Sequence, residues 1–234
     1  MRSLGTPSLS NDYDRSPRGQ LSPWQRTYII QFLLAYMSVR VLRWRPPVSA
    51  NIANAYSPGS LDAWLKCCAG NGLDFSHYPN TVSEVIAVEP ESYLRAKAEL
   101  SALNAPINVR VVDGDAEHLP LEDGSIDAAV ASLVLCSVAN QAAALEEIQR
   151  VLRPGGELRF YEHVVATNSR LARIQRLVNP VWTRFAGGCR LTRSTLEAIK
   201  EAGFVVDDYE QFDFQPCRMA KLAAPHILGR AHKS

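Results

Sequence analysis

From about Leu61 onward, the apolar positions of the chain fall into two textures that alternate. Short β-branched runs read as buried strands: Ser83–Val88, Asn108–Val112, Ile126–Ser132 and Glu157–Tyr161. A weaker run, Ala63–Cys67, is the candidate first strand. Between them lie stretches of helical period. Glu91–Leu103 is one. Gln141–Leu152 is the other, with apolar positions at Ala144, Leu145, Ile148, Val151 and Leu152. Arg153-Pro-Gly-Gly156 ends that helix with residues that cannot continue it. Strands alternating with helices predict βαβ units, and so an α/β domain with a mostly parallel sheet covered on both faces.

The pattern before Leu61 is different. Residues 1–20 are rich in Ser, Pro, Gly, Arg and Asn and predict a disordered tail. Tyr28–Leu42 is apolar but is interrupted by Arg40, and its unbroken part is short of the roughly 20 residues that span a bilayer. It predicts a helix packed on the domain, with attachment to a membrane surface as the lesser reading. Pro46-Pro47 and Ser57–Ser60 break the pattern before the domain begins. The expected organisation is an N-terminal extension over 1–60, partly disordered with one apolar helix, and a single domain over 61–234.

Composition narrows the function classes only a little. The formal net charge of +1 provides no field to gather nucleic acid or anionic lipid, so no nucleic-acid partner is expected. The five cysteines (Cys67, Cys68, Cys136, Cys189, Cys217) are odd in number, contain no C-x-x-C pair and lack metal-ligand spacing. They predict reduced thiols in a cytoplasmic protein, with no metal site. Cys136, in the apolar run SLVLCSV, predicts an inert thiol.

In an open parallel sheet, ligands bind beyond the carboxyl ends of the strands. The residues with usable chemistry stand there. Gly70-Asn71-Gly72 follows the first candidate strand, and glycine lets the backbone come close to a ligand. Glu89-Pro90 ends the second strand, where a carboxylate can accept both hydroxyls of a ribose. Asp115 and Ala116 follow the third, where a carboxylate could meet an adenine amino group. Ser132 and Leu133 end the fourth and could offer carbonyls to an ammonium group. Each signal alone also fits a plain turn or strand end. Their order on successive strand ends points to an adenosine-containing ligand.

The stretches AGNGLDFSHYP, VIAVEPESYL, VVDGDAEHLPLEDGSIDAAVASLVLCSV, EEIQRVLRPGGELRFYEHV, GGCRLTR and APHILGRA carry a resemblance to the class I S-adenosylmethionine-dependent methyltransferases. The branch most resembled includes the thiol methyltransferases of animals and their bacterial relatives. The resemblance implies a Rossmann-like domain with a mostly parallel seven-stranded sheet, S-adenosylmethionine as cofactor and a small-molecule methyl acceptor: a thiol, phenol, amine or lipid head group. It implies that Gly70, Asn71 and Gly72 hold the methionine part, Glu89 and Pro90 the ribose, Asp115 and Ala116 the adenine, and Ser132 and Leu133 the methionine side. Glu162 and His163, just past the fifth strand, would face the acceptor as catalytic residues, His163 as a base.

Two departures stand against this. Lys66 occupies the place of an acidic residue and Cys68 that of the first glycine of the turn. A Cβ at a position that needs φ > 0 predicts weakened cofactor binding. The alternative is a catalytically impaired protein that keeps the fold. Upstream of Cys67 the landmark motifs stop, as a fusion or a shifted reading frame would make them do.

Overall fold

The computed structural model describes residues 63–215 and 218–234. The N-terminal extension, with the apolar run Tyr28–Leu42, and Cys217 lie outside the described residues. Strands β1 (Ala63–Cys67), β2 (Glu84–Val88), β3 (Asn108–Val112), β4 (Ile126–Ser132) and β5 (Leu152–His163) precede β6 (Phe204–Asp213) and β7 (Pro225–Lys233). The helices are α1 (Ser92–Ala102), α2 (Gln141–Val151), α3 (Ser169–Phe185) and α4 (Thr195–Glu201). All strands share one seven-stranded sheet in the order β3-β2-β1-β4-β5-β7-β6. Strands β1 to β5 are parallel, while β7 runs antiparallel to both β5 and β6.

The central strands β1, β2 and β4 are buried on both faces, as a parallel sheet between helices requires, while the edge strand β3 is only partly covered and β6 is mostly exposed. Trp64, Val85, Ala87, Ala128 and Val130 point to one face, where they meet Phe75, Tyr78 and Ala98 of α1. The next residues along, Leu65, Ile86, Val88, Ala129 and Ala131, point to the other face and pack with Leu145 and Ile148 of α2 and Ile199 of α4. This period-two split explains why β4 (IDAAVAS) carries small residues at almost every position: both helical layers press on it.

Helix starts follow their caps. The Glu91 carboxylate accepts the backbone N–H groups of Tyr93 and Leu94 at the head of α1. Asn140 does the same for Ala143 at α2, and Asn168 for Arg170 and Leu171 at α3. The fifth strand runs further than its β-branched run predicts. It begins at Leu152, expected as the last residue of the helix but paired with Ile126 of β4, and it continues through Glu162 and His163 because those residues pair with Ile227 and His226 of β7. Among the described residues no helix is long and apolar enough to cross a membrane.

Candidate active site

The turn after β1 carries the first expected site residues. Cys68 sits at φ +46, in the left-handed region that glycine enters without steric cost, so the predicted strain is present. Gly70 and Gly72 follow at φ +59 and +73. A Cβ on Gly70 would meet nothing within 4 Å, so the backbone here borders open space that a ligand can enter. A Cβ on Gly72 would strike the Phe75 ring at 2.5 Å, so that glycine is required by packing. The Asn71 carbonyl accepts the Ser101 hydroxyl at 2.8 Å and ties the turn to α1.

Lys66 is buried, and its ammonium lies 3.2 Å from the Asp74 carboxylate. The ion pair spans the turn from its first flank to its second. A cation is thus tolerated inside the sheet because an anion from the far side of the same loop compensates it.

Glu89 joins this turn to β2. Its Oε2 accepts the Gly70 N–H at 2.7 Å and its Oε1 accepts the Glu91 N–H at 3.1 Å. Each oxygen keeps a further acceptor site for a ligand hydroxyl. Burial raises the pKa of this carboxyl above the ordinary 4.5, against the lowering effect of the two amides. The Glu89 and Pro90 carbonyls both accept from the Arg95 guanidinium, which also pairs with Asp113 at 2.8 Å. On the next strand end, Asp115 is half-exposed and accepts the Glu117 N–H at 2.8 Å, while Ala116 is buried beneath it. Glu89 and Asp115 therefore stand at the same end of adjacent strands β2 and β3, beside the glycine turn of β1.

Ser132 ends β4, and Leu133 follows at φ +57 with its N–H on the Tyr161 carbonyl at 2.8 Å. The turn after it is clamped from two sides. Glu162 Oε1 accepts the N–H groups of Val134 (2.9 Å) and Leu135 (3.0 Å), and Oε2 accepts that of Cys136 (3.0 Å). The Arg193 guanidinium donates to the carbonyls of Leu135, Val138 and Ala139. Sequence reasoning gave Glu162 a place in the acceptor pocket. The structure gives it another: its side chain is 0% exposed, and its oxygens face backbone amides. Burial raises its pKa against those three hydrogen bonds. It is a positioning residue, and Arg193, which sequence reasoning passed over, is its counterpart. The sequence marks the two only as charged residues within the motifs EHV and GGCRLTR, with nothing to show that both would be buried on the same turn.

His163 is also buried. Its Nδ1 lies 3.1 Å from Cys189 Sγ, its ring is 5.5 Å from that of His226, and its Nε2 has no hydrogen-bond partner among the described residues. Burial first, and His226 second, lower its pKa to about 3, so the imidazole is neutral near pH 7 and a poor base. Cys136, Cys189 and His163 converge here although their sequence spacing shows no ligand pattern. The region Asn168–Arg193, which includes α3, delivers Cys189 to this point.

The methyltransferase domain family matches residues 65–160. Thiol S-methyltransferase TMT1B of Rattus norvegicus is 36% identical over 174 residues, 72% of this chain and 70% of that protein. Thiol S-methyltransferase TMT1A of Homo sapiens is 33% identical over 216 residues, 90% of this chain and 86% of that protein. A match of that extent includes residues upstream of Cys67, where the landmark motifs stop. Geranyl diphosphate methyltransferase in complex with SAM shares the fold at a TM-score of 0.66 and 14% identity, covering 86% of this chain and 90% of that one. With its glycine turn, its acidic strand ends and these relatives, the chain belongs to the class I S-adenosylmethionine-dependent methyltransferases, in the branch that includes the thiol S-methyltransferases.

Proposed function

We propose that this chain transfers the methyl group of S-adenosylmethionine to a small thiol. The observation that carries this reading is the row of Gly70–Gly72, Glu89, Asp115 and Leu133 at the carboxyl ends of β1 to β4, in a chain more than 30% identical to two thiol S-methyltransferases. The residues fit the cofactor. The open space at Gly70 and the spare acceptor sites of Glu89 are what a nucleoside lying along the strand ends needs.

Glu89 accepts the ribose hydroxyls, with Pro90 beside it, while its bond to Gly70 keeps the turn in place. Asp115 and the Ala116 amide recognise the adenine. Asn71, Ser132 and Leu133 line the methionine side, where backbone carbonyls attract the ammonium group. When bound, S-adenosylmethionine supplies an electrophilic methyl group on a sulfonium, which needs no covalent enzyme intermediate. With the cofactor held by these residues, an acceptor thiol in line with the methyl group would take it, giving a thioether and S-adenosylhomocysteine and losing its proton to solvent. A free thiol of pKa about 8.5 is partly ionised near pH 7, so the reaction proceeds without a strong base. The chain contributes alignment and exclusion of water, the larger part of what such a displacement asks.

The test is methyl transfer from tritiated S-adenosylmethionine to matched alkyl thiols, phenols and amines. Label entering the thiols, lost in Glu89→Ala, supports the reading. Label in phenols or amines alone refutes the thiol assignment. Failure of the parent to bind S-adenosylhomocysteine refutes the enzyme.

A further inference from the structure

We propose that Cys136, Cys189 and His163 form a binding site for a thiophilic closed-shell cation of the zinc class, with three protein ligands and one position open. Nothing in the methyl-transfer reading requires this site, and it stands on geometry of its own. The three donor atoms lie within 4.8 Å of one another, and all three residues are buried. The two sulfurs are 3.8 Å apart, and Cys189 Sγ is 3.1 Å from His163 Nδ1.

A tetrahedral zinc with Zn–S bonds of about 2.3 Å and Zn–N bonds of about 2.0 Å separates two sulfurs by about 3.8 Å and a sulfur from a nitrogen by about 3.5 Å. The sulfur pair already has that spacing. The imidazole needs to withdraw by only a few tenths of an ångström. Two thiolates and one imidazole select zinc-type ions over magnesium or calcium, which take oxygen ligands.

The donors come from three separate elements: the turn after β4, the end of β5, and the turn after α3. Each is held in place independently. Glu162 fixes the Cys136 amide, the Cys136 carbonyl accepts the Arg190 N–H at 2.8 Å, and the Cys189 N–H bonds to the Ala186 carbonyl at 3.0 Å. A preorganised set of this kind binds metal without the cost of folding around it. Charge is also balanced. A divalent cation with two thiolates is neutral overall, so loading adds no net charge to the buried pocket. On loading, the two thiols release two protons to solvent as two sulfur–metal bonds form.

Trp182 packs against the cysteine pair, and its buried indole N–H has no partner among the described residues. A water or thiolate on the open metal position offers such a donor an acceptor. Three protein ligands with a fourth place open are the arrangement of reactive zinc sites, in contrast to the four-ligand structural ones.

The test uses the full chain, produced in zinc-supplemented medium and purified under reducing conditions without chelator. Elemental analysis should find about one zinc per chain. Cys136→Ser and Cys189→Ser should each lose at least nine-tenths of it. Because a ligand variant can misfold, the folded parent is also stripped with chelator and titrated with cobalt(II). Thiolate-to-cobalt charge-transfer absorption with intense tetrahedral ligand-field bands, saturating at about one equivalent, supports the site. A parent with less than a tenth of an equivalent of zinc and no cobalt spectrum overturns it. So does a Cys136–Cys189 disulfide that persists under the reducing conditions of purification.

Discussion

Replacing Glu89 separates a cofactor ligand from a loop clamp, because the structure gives this side chain both jobs. In Glu89→Ala the Gly70 and Glu91 N–H groups lose a charged acceptor. Each such bond contributes roughly 1.5–3 kcal/mol, offset by relief of the buried charge that raises the Glu89 pKa. A net loss of about 2 kcal/mol corresponds to a fall in melting temperature of about 4–8 °C for a chain of this size. The unliganded variant should therefore be visibly less stable. Binding loses more, since the two ribose hydroxyls also lose their acceptor, and the affinity for S-adenosylhomocysteine should drop at least tenfold. Glu89→Gln is the sharper probe. Its amide can accept one backbone N–H, but its NH2 must face the other, and the two donors repel. It should fall between parent and alanine variant in melting temperature while binding as poorly as alanine. Titration calorimetry and thermal melts on the same samples read both numbers. A Glu89→Ala protein that melts lower but binds S-adenosylhomocysteine within twofold of the parent would mean that Glu89 only holds the turn, and the ribose assignment would be wrong.

Acidity gives a second handle on the same residue. The folded pKa of Glu89 is raised, so S-adenosylhomocysteine affinity should begin to fall while pH is still above 4.5, and Glu89→Gln should flatten that dependence; a parent profile that is flat down to pH 4.5 contradicts it. Cys68→Gly removes about 1–2 kcal/mol of left-handed strain but adds roughly 0.5–1 kcal/mol of unfolded-chain entropy, so unfolding free energies from urea melts should agree to within about 1.5 kcal/mol. A loss beyond 2 kcal/mol in that variant would show that the Cys68 side chain, which packs against the core, matters more than its backbone. Glu162→Gln should cost roughly 1–3 kcal/mol, since one of the three amides of the Leu133 turn then meets an NH2; an unchanged urea midpoint would count against the clamp. Asp74→Asn should destabilise by about 3 kcal/mol by stranding the buried Lys66 ammonium, and adding Lys66→Met should recover most of it.

The central strands of the sheet were legible because they are buried on both faces. Ile126–Ser132 is found where its largely apolar run predicts it, Asn108–Val112 where its valines do although this edge strand is only partly buried, and Ala63–Cys67 forms despite its lysine. The last two strands carry little local signal. FVVDDYEQFD is mostly exposed and PHILGRAHK contains proline, glycine and charge, so β7 takes its place by pairing with β5, and β6 by pairing with β7, not from pattern. The strain at Cys68 could be read from glycine chemistry alone. The fate of Lys66 could not, because its partner Asp74 lies across the turn. Nor could the role of Glu162 be read, since a carboxylate that caps a loop and one that meets a substrate look the same in sequence. The cysteine and histidine cluster was hidden for a similar reason: metal spacing rules detect ligands from one loop, and these come from three elements.

The placement of β7 sets the order in which the molecule can be completed. This strand lies inside the sheet, bonded on one side to β5 and on the other to β6, yet it is synthesised after both. A nascent chain that has emerged as far as Ala224 holds β5 with an unpaired edge and β6 with nothing to join. Closure of the sheet must wait until Pro225–Lys233 clears the ribosome, and until then the open edge of β5 is a template for foreign strands. Ribosome stalling or premature termination just before β7 would release a species that carries every proposed cofactor contact but has an unfinished sheet, a ready client for chaperones and proteases.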